Sequence, residues 1–131
     1  MKSTSALLAF AFIASSFMSA DLFGARLDIV KKGDAYAKQL ELKGERNGDK
    51  VKVTIKVPES LQDHKLGRFI VMHESKVLAE AGHKKQTLVF EVETGKLKDI
   101  TGHVSYLDPN HKKGESGGLW AIVFNVGQMM E

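Results

Sequence analysis

Val51, Val53, Ile55 and Val57 alternate strictly with Lys50, Lys52, Thr54 and Lys56. Apolar side chains at every second position read as a strand with one buried face, and lysines along the open face discourage edge-to-edge pairing. Upstream, Tyr36, Lys38, Leu40 and Leu42 share one parity, and Asn47-Gly48 supplies a tight turn, so 36–43 and 50–57 are predicted to pair as an antiparallel hairpin. Pro58 lacks the amide hydrogen a ladder needs and ends the second strand. Ser60 to Leu66 is read as one helical turn, capped by Ser60 and closed by Gly67.

Residues 68–74 carry Phe69 and Val71 on one side and Ile70 and Met72 on the other, the pattern of a central strand buried on both faces. His73 shares parity with Phe69 and Val71 and is assigned to the core. Val77 to Ala81 reads as a short returning strand. Residues 87–93 alternate again, with Leu88, Phe90 and Val92 inward, and Thr94-Gly95-Lys96 turns the chain. Ile100 to Leu107 and Leu119 to Val126 follow as strands, and 26–31 adds an opening one. Short strands at roughly 8 to 12 residue spacing, without a long helical pattern, predict an all-β fold. The specific expectation is an immunoglobulin-like antiparallel β-sandwich of about seven strands.

The first twenty residues form a different kind of segment. Lys2 gives a positive start, Ala6 to Ala14 a short apolar run, and Ser15 to Ala20 a small-residue exit, the layout of a cleavable secretory signal peptide. The expected organisation is 1–20 as signal peptide and 21–131 as a single domain, periplasmic or secreted. No later apolar run approaches the roughly 20 residues of a membrane span. Of 19 Lys and Arg, Lys2 lies in the leader, which leaves 18 against 16 Asp and Glu, a net +2 with histidines neutral. The basic pairs Lys31-Lys32, Lys84-Lys85 and Lys112-Lys113 are dispersed rather than clustered on one face, so no nucleic-acid partner is implied. The chain has no cysteine, so packing alone must hold the fold, and thiolate nucleophiles and Cys-ligated metals are excluded.

Candidate chemistry gathers between the last two strands, where Asp108-Pro109-Asn110-His111-Lys112-Lys113 leads into Gly114-Glu115-Ser116-Gly117-Gly118, an exposed loop. Loops on a rigid scaffold are common carriers of function. The last five residues match G-x-S-x-G, but that motif exposes its serine between a strand and a helix, whereas here a strand follows. The same five residues resemble the glycine-flanked serine segment of chymotrypsin-like proteases, with Glu115 where those carry Asp. That family needs two barrels, so no triad is assigned from the order His103, Asp108, Ser116.

None of His64, His73, His83, His103 and His111 stands at the i, i+2 or i, i+4 spacing that presents paired ligands on one face. His103 can converge with His111 and Asp108 at the loop base. Met129 and Met130 end the chain as soft sulfur donors or, more simply, as a frayed terminus. The ligand-binding candidates are therefore His103, Asp108, Asn110, His111, Lys112 and Lys113, with no metal site, cofactor or catalytic group assigned. The leading reading is a non-enzymatic binding or structural module that engages a protein or cell-envelope partner through loops or a strand edge. The second is a periplasmic copper- or zinc-binding sandwich, which resembles in outline the exported copper-resistance carriers; those place His at the mature start, where this chain has Asp21.

Overall fold

The computed structural model describes residues 26–112 and 118–131. The expected signal peptide, 1–20, lies outside the described residues, as do Lys113 and Ser116. Among the described residues, nine strands form two sheets. They are β1 (Arg26–Val30), β2 (Glu41–Asn47), β3 (Lys50–Lys56), β4 (Ser60–Leu61), β5 (His64–His73), β6 (Lys76–Glu80), β7 (Thr87–Glu93), β8 (Ile100–Leu107) and β9 (Leu119–Asn125). One sheet has the order β1-β9-β8-β5-β4, with β6 also paired to β5; the other is β2-β3-β7. A short helix, α1 (Val126–Met129), follows β9. Among the described residues, no helix is long and apolar enough to cross a membrane.

The alternating residues do what their period requires. Val51, Val53 and Ile55 of β3 and Leu88, Phe90 and Val92 of β7 turn inward and share one core with Leu66, Phe69, Val71, Ile100, Val104, Tyr106, Ile122 and Phe124 of the larger sheet. All-β architecture is thus observed, with corrections to the detail. The strand count is nine rather than about seven, and β1 runs parallel to β9, so the arrangement is not purely antiparallel. Ser60 to Leu66 is no helical turn: Gln62 takes φ 54°, the chain reverses there, and Ser60 and Leu61 pair with Lys65 and His64. That reversal starts β5 four residues earlier than its apolar run suggests.

The predicted hairpin forms, with Glu41 paired to Lys56 and Asn47 to Lys50 around Gly48 at φ 69°. Residues 36–40 leave it for a 3-10 turn, because Tyr36 is drawn into the core. There the Tyr36 hydroxyl lies 2.7 Å from that of Tyr106, which itself donates to the carbonyl of Pro58 at 2.7 Å. The C-terminal turn is packed rather than frayed: Asn125 Oδ1 caps α1 by accepting from the Gln128 amide, and Met129 and Met130 pack against the core. His73 is half-buried at the end of β5, outside the core assigned to it, because the strand stops there and the chain turns at Glu74.

Candidate functional site

A sheet that covers a core on one side needs one apolar face, and β3 and β7 obey this by placing Lys50, Lys52, Lys56, Glu91 and Glu93 outward. The larger sheet does not. With Phe69, Val71, Val104, Tyr106, Ile122 and Phe124 turned inward, the opposite face presents Ile70 and Met72 of β5, His103 and Ser105 of β8, Ala121 and Val123 of β9, and Leu27 and Ile29 of β1. Ile70 and Met72 form an apolar cluster separate from the main core. The central side chains of this face, Ile70, Met72, His103, Ser105, Ala121 and Val123, are all buried. Ile29 at 60% and Leu107 at 46% exposure mark its rim. Arg68 and Glu80, paired at 2.6 Å, close its β6 side.

His103 sits at the middle of this face, between Ile70 on β5 and Val123 on β9. Its Nε2 shares a hydrogen bond with Thr101 Oγ1 at 2.9 Å, while Nδ1 is buried without a partner among the described residues. An imidazole nitrogen among aliphatic side chains is costly to leave unmatched. Burial holds the His103 pKa down at about 4, below its ordinary 6.5, since the charged form loses its hydration there. A histidine whose folded pKa is depressed stabilises the fold above its unfolded pKa and costs stability as pH falls below it. The protein is therefore expected to lose stability between pH 6.5 and about 4, and His103→Leu to remove part of that loss, as read from urea midpoints at pH 7 and pH 5.

The loop candidates are arranged differently. The Asp108 amide donates to the Gly118 carbonyl at 2.9 Å and closes the loop base. Asp108 Oδ1 accepts from the Asn110 amide, and the Asp108 carbonyl accepts from the His111 amide. The His111 ring lies against Gly118, whose φ of 89° and lack of a Cβ both permit that contact. Lys112 is exposed, and Lys113 lies outside the described residues. His103 stands five residues before Asp108, roughly 17 Å along a strand, and neither it nor His111 belongs to a three-donor group among the described residues. Asp108, Asn110 and His111 thus come together, and His103 goes to the sheet face.

Pattern reading missed the outer face as a whole. Its signal was present in the double-sided apolar pattern of residues 68–74, but the same pattern fits any central strand. A groove of about 890 Å³ is lined by residues including Arg46, Val51, Leu97, Lys98, Asn125 and Met130, none of them in the 108–118 loop.

No family model matches this chain, and no curated protein does. Among solved structures it is similar to a superoxide reductase from Nanoarchaeum equitans, with 16% identity over 72% of this chain and 97% of that chain and a TM-score of 0.35. It is also similar to a hypothetical protein from Pyrococcus horikoshii OT3, with 17% identity over 74% of this chain and 95% of that chain and a TM-score of 0.33. The expectation of a non-enzymatic module is corrected here, since the first of these structures is an enzyme. At these scores the likeness transfers no activity.

Proposed function

We propose that the protein is an exported, immunoglobulin-like β-sandwich that engages a protein or cell-envelope partner through the outer face of its six-stranded sheet. The observation that carries this reading is the pair of exposed apolar side chains Ile29 and Leu107 on the rim of that face. Side chains that alternate to polar on the smaller sheet stay apolar here at Ile70, Met72, Ala121 and Val123. These four are buried, and the solvent-exposed apolar side chains of this face are Ile29 and Leu107 at its rim; exposed apolar surface marks contact sites in soluble proteins. The order β1-β9-β8-β5 facing β2-β3-β7 supports the immunoglobulin-like reading. The leader-like pattern of residues 1–20 supports export.

The recognition is apolar rather than charge-led, so it is expected to persist at high salt, where surface ion pairs are screened. A photo-crosslinking residue at exposed position 29 or 107, introduced in the producing cell, is expected to trap a defined partner that the same residue at position 52 does not. Identical products from all three positions, or none from 29 and 107, reject this face as the contact surface.

A further inference from the structure

Where β5 ends and β8 begins, three donor side chains converge. His73 closes β5, Glu74 opens the turn into β6, and Asp99 is the last residue before β8. His73 is paired with Ile100, so continuing the ladder by one step sets Glu74 across from Asp99. One imidazole nitrogen and one oxygen from each carboxylate all lie within 4.8 Å of one another. Like charges facing each other across neighbouring strands are destabilising, and here no Lys or Arg relieves them: the ion pairs among the described residues occupy Asp28, Glu41, Glu80 and Glu93 instead. Glu74 is brought to this position with φ 56°, a backbone region that residues other than glycine adopt uncommonly.

We propose that His73, Glu74 and Asp99 form a binding site for a divalent transition-metal ion of the zinc type. The donor chemistry selects the class. One neutral imidazole with two carboxylates suits zinc, and the absence of any thiolate or thioether in the group disfavours monovalent copper. Three protein ligands leave a fourth, tetrahedral position for water. Zinc–nitrogen and zinc–oxygen bonds of about 2.0 to 2.2 Å put neighbouring donors about 3.4 Å apart, so the group must contract by rotation of side chains. Exposed Glu74 is free to make that movement, and the strand ends hold His73 and Asp99 in place. A bound dication would also remove the repulsion between the two carboxylates. This site is independent of the outer face: His73 lies on the opposite side of β5 from Ile70 and Met72, so either proposal can fail alone.

Titration of the purified protein with zinc chloride, followed by calorimetry and by metal analysis after dialysis, is expected to give one zinc per chain with affinity well below millimolar. His73→Ala, Glu74→Gln and Asp99→Asn are each expected to weaken uptake by about 10- to 100-fold or more, while His83→Ala and His111→Ala leave it unchanged. Thermal melts of the apo variants check that each is folded, and cobalt substitution, read by its visible absorption, should lose its tetrahedral signature in the first three variants only. No uptake below millimolar zinc overturns the site. So does stoichiometric uptake that survives His73→Ala and Asp99→Asn in folded protein, or that depends on His111.

Discussion

Phe124→Ala is expected to destabilise the protein by about 3–5 kcal/mol, the range for deleting a fully buried aromatic side chain, measured as a drop in urea midpoint. Phe124 is 1% exposed, and its ring lies over Gly102 of the neighbouring strand β8, with which it is paired. A Cβ on Gly102 would stand 2.4 Å from Phe124 Cζ, which no real contact tolerates. Gly102→Val alone should therefore cost about 1–3 kcal/mol or more through overpacking. The two changes are predicted to compensate, because the valine partly fills the space the phenyl ring leaves. The double variant should be more stable than the sum of the singles by about 0.5–3 kcal/mol. Strict additivity would show that the ring and the glycine do not share that space.

The second large effect concerns the buried tyrosines. Tyr106 has one hydroxyl proton and donates it to the Pro58 carbonyl, so Tyr36 must be the donor in the pair between them. Tyr106→Phe strands both the Pro58 carbonyl and the Tyr36 hydroxyl and is expected to cost about 1–3 kcal/mol. Tyr36→Phe removes a donor but leaves Tyr106 bonded to Pro58, so its cost should fall nearer about 0.5–1.5 kcal/mol. Equal losses would contradict this donor order. Burial raises the Tyr106 pKa to about 12 and drives that of Tyr36 higher still, with the neighbouring Tyr106 adding to the rise. For a phenol with a raised folded pKa, the stabilisation is complete below the unfolded value near 10 and is lost as pH climbs through the folded one. Unfolding midpoints should therefore fall between pH 10 and 12, and less steeply in Tyr106→Phe.

Much of this architecture can be read along the chain. Residues 87–93 and 100–107 match β7 and β8, the Asn47-Gly48 signal marks the β2–β3 turn, and Pro58 ends β3 at Lys56. Each rests on a local rule, period two or the φ demand of a turn, that operates within a few residues. Ser60 to Leu66 misled because a capping pattern is as local as a tight reversal, and the choice went to the alternative that lets Lys65 and Leu66 join the ladder with β8. Tyr36 left its predicted strand for a hydroxyl partner 70 residues away. His73 read as core because parity alone does not say where a strand stops.

By itself the amino-acid order determined which side chains share a face of each strand, and hence the all-β class and most strand limits. Only the tertiary structure decided that β1 lies parallel to β9, that the larger sheet is apolar on both sides with His103 at its outer centre, and that Asp99 meets His73 and Glu74. The reason is that pleating is a property of consecutive residues. Which strands become neighbours depends on long-range packing, and two segments that meet across a sheet leave no mark of that meeting in either one.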